Sequence, residues 1–441
     1  MNCIELIITA KAPLAIGRQK PGGSVSEAEN YIPGSVIRGA IASQILQVAN
    51  RQGADLSQNG GEFQTLFLDA EAAIFQNAYP AIARLNAQES ALVADAIRVL
   101  PATALSSKEN GGFKIDGKPD AEQKGGVFDT LIDRYCAELC RHLYDPSCPH
   151  DQGRVEPFGG FYSYTSDPDT AHRYRSHSTT TRFLTRVGIN RRRATAQDEM
   201  LYSIEALNES FLRNTKAKYL KWEYFAYRSH IWIEDDDLAN SLVALINRNS
   251  ETFRIGGSTS RGLGRIHMNA AIKDDATDLP QRLEAFNTKL QERWQLWSII
   301  GQNGEAGLGD RTYFTLDLQS HAVLTDHWQR TMVVSSEMLL DALGRHGISA
   351  QDLQLHASYA SYDYRTGWNV AWGLMKEMEL ITNRGAVFFF SVSLPDLWKD
   401  EQWIKALASL EIQGIGDRTP EGFGQVRICD EFHTIFRENA V

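Results

Sequence analysis

One pattern of strand, helix, glycine-rich loop and strand occurs twice in this chain, and it constrains the fold more than any other feature of the sequence. In the first copy, the strand, helix, loop and closing strand are predicted at 222–234, 237–247, 255–264 and 265–268. In the second copy, the same elements are predicted at 386–394, 401–410, 414–424 and 425–428. In both copies the closing Gly-x-Gly begins 28 residues after the end of the first strand. A repeat with equal internal spacing predicts two copies of one structural unit.

A further strand and helix precede each copy. The strands are predicted at 4–10 and 312–319, the helices at 35–50 and 335–343. Ser35 is the expected N-cap of the first helix, and Ser335 or Ser336 that of the second. The resulting order is close to the ferredoxin-like (RRM-like, split βαβ) pattern. The predicted fold class is therefore α+β, with two ferredoxin-like domains, long insertions and a glycine-rich loop near the C-terminus of each domain.

The domain boundaries follow from the two copies. Residues 1–275 form the first domain with its insertions, residues 276–309 a helical connector, and residues 310–441 the second domain. Within the connector, residues 279–299 are predicted to form a charged helix.

The composition is that of a globular protein without a membrane span. The longest apolar run, residues 386–390, is far shorter than the ~18 residues that a spanning helix needs. The first residues lack a basic region followed by an apolar core, and five cysteines is an odd count for a disulfide framework. These features favour a reducing, cytoplasmic location.

The net charge of −10 is unevenly distributed. Residues 171–230 contain 12 Lys and Arg against 5 Asp and Glu, a balance of +7 that leaves about −17 for the rest of the chain. The candidate phosphate contacts in this segment are Arg182, Arg186, Arg191 and Arg192. Such a patch either neutralises a nucleic-acid backbone or is a solvated surface beside acidic neighbours.

The two glycine-rich loops are predicted to contact RNA, and no nucleotide cofactor is expected. Phosphate loops of nucleotide-binding proteins open a helix, whereas these loops lead into a strand, and no Gly-x-x-x-x-Gly-Lys-Ser/Thr occurs. Glycine exposes backbone N–H groups without a Cβ, which suits close approach to a polyanion. The candidate residues are Gly256, Gly257, Ser258, Ser260, Arg261, Gly262, Gly264, Gly414, Gly416, Arg418, Gly422, Phe423 and Gly424. The alternative is a pair of turns in which glycine only supplies positive φ.

Four possible zinc ligands lie within 15 residues: Cys136, Cys140, Cys148 and His150. Cys136 and Cys140 would share one helix face, and zinc needs three or four such ligands in a tetrahedral arrangement. The sequence therefore predicts a structural zinc in an insertion near 136–150. The alternative is a buried cysteine pair on a helix and an unrelated loop cysteine.

The segment Tyr31-Ile32-Pro33-Gly34-Ser35-Val36-Ile37-Arg38-Gly39-Ala40 resembles the start of the first helix in the RAMP superfamily (repeat-associated mysterious proteins) of CRISPR systems. Both glycine-rich loops are similar to the terminal loop of that family. Residues 185–191 with 201–205 are similar to a segment of type III subunits, and residues 364–374 resemble the two-domain subunit of type III-D complexes.

This resemblance implies a subunit that binds the 5′ tag of the crRNA. Its neighbours would be RAMP backbone subunits and the large polymerase-like subunit, with target RNA met through the complex. Within the quoted motif, the resemblance adds Arg38 to the candidate RNA contacts.

Catalysis is not expected. The family members that cut target RNA place an aspartate in the loop before the first helix, whereas the loop 11–30 contains Glu27 and Glu29 but no aspartate. Members that process guide RNA use a histidine near that helix, and the first histidine here is His142. His172 and His177 lie in the basic segment, where contact with phosphate or plain surface is the favoured interpretation. An RNA-cleaving member of the family is the alternative function.

Overall fold

The computed structural model of the protein describes residues 1–18, 27–51, 55–56, 60–69, 72–85, 89–115, 123–165, 167, 172–190, 192, 195–274, 277–301, 307–349, 352–366, 368–369, 374–375 and 377–441. The helices are α1 (Gly34–Val48), α2 (Glu62–Phe67), α3 (Leu131–Leu139), α4 (Asp236–Arg248), α5 (Leu279–Ile300), α6 (Ser336–Gly344) and α7 (Glu401–Gln413). The strands are β1 (Asn2–Ala10), β2 (Ile74–Phe75), β3 (Tyr79–Pro80), β4 (Ile82–Arg84), β5 (Ser90–Leu92), β6 (Arg98–Val99), β7 (Ala104–Ser107), β8 (Val127–Asp129), β9 (Val155–Pro157), β10 (Phe161–Tyr164), β11 (Tyr174–His177), β12 (Thr181–Asn190), β13 (Thr195–Leu207), β14 (Ser210–Leu212), β15 (Trp222–Tyr224), β16 (Ala226–Ile233), β17 (Ile266–Lys273), β18 (Thr312–Leu318), β19 (Leu324–Asp326), β20 (Gln329–Thr331), β21 (Gln354–Tyr359), β22 (Tyr362–Arg365), β23 (Trp368–Asn369), β24 (Leu374–Met375), β25 (Glu379–Thr382), β26 (Val387–Val392) and β27 (Val426–Ile428).

The N-terminal unit is an antiparallel sheet in the order β17, β1, β16, β2. Because side chains alternate along a strand, β1 buries Ile4, Leu6 and Ile8 on one face of the sheet. Helices α1 and α4 add apolar side chains to the same core, among them Ile41 and Leu242. In chain order the unit runs β1, α1, β2, β16, α4, β17, which is the order of the split βαβ pattern.

The C-terminal unit repeats this arrangement with its sheet in the order β21, β26, β18, β27. Its central strand β26 buries Phe388, Phe389 and Phe390 completely, so both of its faces are covered. Phe389 points away from its two neighbours and packs against Tyr135 of α3 and Phe286 of α5. The predicted α+β class is thus confirmed.

The N-terminal ends of α6 and α1 can be compared with the predicted N-caps. Ser335 caps α6 as predicted, because its side chain accepts a hydrogen bond of 3.2 Å from the backbone N–H of Met338. The first helix differs: α1 begins at Gly34, directly after Pro33, so Ser35 lies inside the helix and its predicted capping role is wrong. Proline suits this position because its fixed φ turns the chain and its missing N–H is not needed there.

Part of the first-half insertion lies against the C-terminal unit. Strands β7, β8 and β9 form a small sheet, and Val127 of β8 exchanges backbone hydrogen bonds of 2.7 and 3.0 Å with Val441. The following helix α3 adds Leu131 and Cys136 to the core of the C-terminal unit. The two halves of the chain are therefore joined by more than the connecting helix.

The connecting helix predicted at 279–299 is observed as α5. Its Arg282 is buried, and the guanidinium donates two hydrogen bonds of 2.9 Å to the carboxylate of Glu411 on α7. This bidentate pair fixes the helix to the C-terminal unit. In the described part of the chain, no helix is both long enough and apolar enough to span a bilayer.

Candidate nucleic-acid interface

The two glycine-rich loops, residues 255–264 (loop 1) and 414–424 (loop 2), have the same backbone. Left-handed φ occurs at matching positions, namely Gly256, Ser258, Gly262 and Gly264 in loop 1 and Gly416, Arg418, Gly422 and Gly424 in loop 2. In loop 1, the N–H of Gly257 donates to the carbonyl of Ala15 at 2.8 Å. In loop 2, the N–H of Asp417 donates to the carbonyl of Val323, also at 2.8 Å. The repeat in the sequence is therefore also a repeat in three dimensions.

The arginines of the two loops do not occupy equivalent positions. A single 3₁₀ turn closes each loop, at Thr259–Arg261 and at Thr419–Glu421. When the two turns are aligned, Arg261 is equivalent to Glu421, and Arg418 is equivalent to Ser258. The two predicted arginine contacts must therefore be judged separately.

Loop 1 is open to solvent. A Cβ built on Gly262 would meet no atom within 4 Å, and Gly256, Gly257, Ser260 and Arg261 are exposed. The guanidinium of Arg261 donates a hydrogen bond to the hydroxyl of Tyr202 and lies 5.6 Å from the centre of its ring. The loop thus presents bare backbone and one cation held in place by an aromatic ring.

Tyr202 belongs to a long hairpin of β12 and β13 that forms its own two-stranded sheet. Its strand register sets Tyr202 directly opposite Arg186, so the predicted cation lies on the face of the hairpin that reaches loop 1. The other face exposes the apolar side chains of Phe183, Val187 and Leu201 among the polar residues Thr185, Ser203 and Glu205, and Ile189 is exposed beyond a shift in register. Exposed apolar side chains beside a basic face are typical of an interaction surface. Tyr202 was not predicted as a site residue, although the alternation of side chains along β13 indicates which of its residues share a face with Arg186.

The remaining arginines that were predicted to contact RNA differ in their contacts and exposure. Arg182 forms a salt bridge of 2.7 Å with Glu209. Arg38 donates a hydrogen bond to the carbonyl of Phe67 and is turned towards α2. Arg192 is exposed, and Arg191 lies outside the described residues.

Loop 2 is packed between the two units. A Cβ on Gly422 would lie 2.8 Å from Asn77 Oδ1 and 2.9 Å from the carbonyl oxygen of Phe75. Asn77 donates to the carbonyl of Gly422 at 2.9 Å and accepts from the N–H of Gly34 at 2.8 Å. The Pro-Gly-Ser helix start and the second glycine-rich loop therefore meet each other. We call this contact the joint; it is formed by Gly34, Phe75, Asn77, Glu421 and Gly422.

The charge of Arg418 is already neutralised. Its guanidinium contacts Glu379 at 2.6 Å and Glu421 at 2.7 Å. Burial by itself would lower the pKa of Arg418, but the two carboxylates raise it above its ordinary value. The cation also lies 4.7 Å from the ring of Phe423, which is buried. Of loop 2, only Gly416 and Asp417 are exposed, so most of its predicted RNA contacts are turned into the protein.

The four predicted zinc ligands do not converge. The thiol of Cys136 faces the carbonyl oxygen of Leu290 at 4.0 Å, and that of Cys148 faces the carbonyl oxygen of Gly125 at 3.6 Å. Burial raises the pKa of the Cys136 thiol to about 12. Among the described residues, one group alone brings three possible ligand atoms within 4.8 Å of one another, the surface residues Asp326, His327 and Glu337. The arrangement of Cys136, Cys140, Cys148 and His150 does not fit a zinc site.

His177 is not at the surface, contrary to the favoured interpretation of the sequence. It is buried, and its Nε2 lies 2.9 Å from the hydroxyl oxygen of Ser163. Burial lowers the pKa of His177 to about 4, so the ring is neutral at ordinary pH. A neutral, enclosed imidazole cannot attract a phosphate.

A sequence model of the RAMP superfamily matches residues 7–267. No curated protein matches the chain. Among solved structures, a chain of the type III-B Cmr-beta complex bound to cognate target RNA and AMPPnP is 11% identical, with a TM-score of 0.36 and coverage of 87% of this chain and 86% of that one. Oligomeric Cmr4 from Pyrococcus furiosus is 10% identical, with a TM-score of 0.24 and coverage of 62% of this chain and 99% of that one.

Proposed function

The chain belongs to the RAMP superfamily, and from this premise we propose that it is a non-catalytic, RNA-binding subunit of a type III CRISPR effector complex. In this proposal it binds crRNA at the 5′ tag. Its neighbours are RAMP backbone subunits and the large polymerase-like subunit, and target RNA is met through the complex in antiviral defence.

The openness of loop 1 is the observation that carries RNA binding. A polyanionic backbone can approach a main chain closely only where side chains are absent, and Gly262, where a Cβ would meet no atom within 4 Å, leaves that space free. Arg261 beside it supplies a positive charge that its contact with Tyr202 does not neutralise. This combination positions an RNA backbone without reading its sequence.

The β12–β13 hairpin supports the same proposal. Arg186 lies on the face that reaches loop 1, so an RNA bound at the loop would pass a second cation. The exposed apolar side chains of the other face offer a surface for bases or for a neighbouring subunit. The site thus combines charge for the backbone with an apolar surface next to it.

Replacement of Arg186 or Arg261 by glutamine is expected to weaken RNA binding for every sequence. Each loss of a phosphate contact should lower the slope of log affinity against log salt by about 0.7 for a single strand. Gly262→Val should instead weaken binding without changing the slope, because it blocks close approach and leaves the charge unchanged. Filter-binding titrations at several salt concentrations, with tagged and untagged RNA, measure both effects. The loss from Gly262→Val should be larger for the tagged RNA.

Two arginine variants serve as controls for this experiment. Arg345→Gln removes an exposed cation at the end of α6, away from the loops. Arg418→Gln removes a cation that two carboxylates already neutralise. Both should bind RNA like the wild type. Equal losses in all four arginine variants would mean that net charge, and not loop 1, determines the affinity.

The environment of two of the four candidate groups supports the non-catalytic part of the proposal. Glu29 is buried, and its backbone N–H is bonded to the carbonyl of Ile16 at 2.8 Å. His177 is buried and neutral. Neither can reach a 2′-hydroxyl of bound RNA without a rearrangement.

The purified protein is therefore expected to leave both guide-precursor and target RNA intact, with or without divalent metal. A single-turnover assay at high protein concentration, with gel separation of labelled RNA, is the measurement. Cleavage that disappears in Glu29→Ala or His172→Ala would show that the protein is an RNA-cleaving RAMP. Cleavage that persists in both variants would point to a contaminating nuclease.

A further inference from the structure

A second basic and aromatic surface lies on the short hairpin of β14 and β15, outside the residues predicted to bind RNA. Residues 213–222, which run from the end of β14 to the start of β15, contain four cations, two aromatic residues and no acidic residue. All four cations, Arg213, Lys216, Lys218 and Lys221, are exposed. The segment lies within the basic stretch of residues 171–230 in a chain whose net charge is −10.

The positive charge of this hairpin is largely uncompensated. Glu223 pairs with both Lys221, at 3.1 Å, and Arg213, at 3.5 Å, so the hairpin holds one carboxylate against four cations. In the part of the chain that the structure describes, no carboxylate lies within salt-bridge distance of the ammonium groups of Lys216 and Lys218. A surface with unpaired lysines attracts polyanions, because counterions held by the polyanion are released on contact.

The aromatic residues of the hairpin are as exposed as its lysines. Tyr219 is 81% exposed and Trp222 is 62% exposed. The ring of Trp222 also lines a cleft of about 500 Å³ together with Phe211 and Arg84. Aromatic rings that alternate with cations are the components of single-strand binding surfaces, where each ring can stack on a base of any identity.

The hairpin is continuous with loop 1. Tyr224, at its base, is covered by the ammonium group of Lys11 at 4.0 Å from the ring centre. The backbone of Lys11 is bonded to the carbonyl of Arg265 at 2.8 Å, and Arg265 directly follows the last glycine of loop 1. Arg265 is itself exposed. Cations therefore extend from loop 1 to the tip of the hairpin.

We propose that the β14–β15 hairpin is a second contact for single-stranded RNA, in which Lys216, Lys218 and Lys221 bind phosphates and Tyr219 and Trp222 stack on bases. The contact is independent of sequence and lengthens the RNA path that begins at loop 1. It rests on the proposed function, since the same RNA strand occupies both surfaces.

Two variants of the full-length chain test the proposal with a single-stranded oligouridylate that is long enough to span both surfaces. Combined replacement of Lys216, Lys218 and Lys221 by glutamine should lower the affinity on the order of tenfold and reduce the salt slope by about 2. Tyr219→Leu with Trp222→Leu should lower the affinity by a similar factor and leave the slope unchanged. Photo-crosslinking with thiouridine RNA should label the peptide that contains Tyr219 or Trp222.

The matched control replaces Lys289, Lys399 and Lys405 by glutamine, which changes the net charge equally on α5, α7 and the turn before α7. This control should bind RNA like the wild type. RNA binding with crosslinks at loop 1 or the β12–β13 hairpin, but none at 213–224 and no loss in either variant, would overturn this inference and leave the proposed function intact. Absence of RNA binding by the wild type would overturn both.

Discussion

Replacement of His433 by phenylalanine is expected to destabilise the protein by about 3–5 kcal/mol, because it leaves two buried carboxylates without their cationic partner. His433 is fully buried between Asp129 and Asp317. Its Nε2 lies 2.8 Å from Asp317 Oδ1. Its Nδ1 lies 3.2 Å from Asp129 Oδ1, close enough for an ion pair but without the alignment of a hydrogen bond. Phenylalanine fills a similar volume and offers neither charge nor N–H.

The position of this cluster explains the size of the effect. Asp129 ends β8 of the insertion, Asp317 belongs to β18 of the C-terminal unit, and His433 lies in the 3₁₀ turn Glu431–Thr434 near the C-terminus. Both carboxylates are further held by hydroxyl donors, Thr103 to Asp129 at 2.5 Å and Thr315 to Asp317 at 2.7 Å. They therefore cannot turn to solvent when the imidazole is removed.

The same cluster predicts that the stability of the folded protein depends on pH. Burial alone would lower the pKa of His433, but Asp317 and Asp129 raise it well above its ordinary value. A raised pKa in the folded state means that the stabilisation is complete below about pH 6.5 and is lost as the pH rises through the folded-state value. As the pH rises above about 6.5, the wild type should therefore lose stability that the His433→Phe variant does not lose.

Urea unfolding at several pH values is the measurement. His327→Phe, a change at a histidine that is 76% exposed, is the control and should alter stability by less than about 0.5 kcal/mol. Combining His433→Phe with Asp317→Asn should recover part of the loss, because one unpaired charge is removed. A single His433→Phe variant as stable as the wild type would show that the cluster contributes nothing.

The fold was predictable because its signals are local. Periodicity located α4 and α7 within a few residues, and the equal spacing of the two copies predicted that loops 1 and 2 share a backbone. The side-chain alternation of β12 and β13 likewise determines which residues share a face with Arg186. Each of these inferences needs only neighbours along the chain or across one hairpin.

The environment of the site was not predictable in the same way. Arg418 and Arg261 look alike in sequence, yet Glu379 neutralises Arg418 from β25, a strand 39 residues earlier. Nothing in loop 2 itself indicates that Gly34 will cover it. The candidate zinc ligands lie apart for a related reason: proximity in sequence places Cys136 and Cys148 together, but the fold turns their thiols to different carbonyls. These outcomes depend on tertiary contacts between distant segments.

Gly34→Ala is expected to be among the most destabilising single changes in the chain, at about 3 kcal/mol or more. A Cβ at this position would overlap the carbonyl oxygen of Phe75 and lie 2.8 Å from that of Glu421. Both obstacles are backbone atoms, so neither can be moved by a change of rotamer. The methyl group must push the start of α1 away from both β2 and loop 2 and so disturb the hydrogen bonds of Asn77.

Gly39→Ala in the same helix is the matched control. A Cβ there would meet no atom within 4 Å, so this change should be neutral or stabilise the helix by about 0.5–1 kcal/mol. Gly422→Ala, on the opposite side of the joint, should behave like Gly34→Ala, because it combines φ of +90° with contacts of 2.8 and 2.9 Å. Urea unfolding and limited proteolysis of the three variants measure stability and exposure of the joint. Equal stability of Gly34→Ala and Gly39→Ala would contradict the role given to the joint.

Measurements of RNA affinity and of stability together can distinguish the role of the joint from that of loop 1. Gly262→Val should lower RNA affinity while changing stability only by the strain of its φ of +88°, since nothing surrounds it. Gly422→Ala should do the reverse, losing stability while the folded fraction binds RNA through loop 1 with unchanged affinity. This opposite pair of effects is expected because the two loops share a backbone but differ in what covers them. If both variants lost RNA affinity at equal stability, loop 2 would also contact RNA, and the joint would have to open for it to do so.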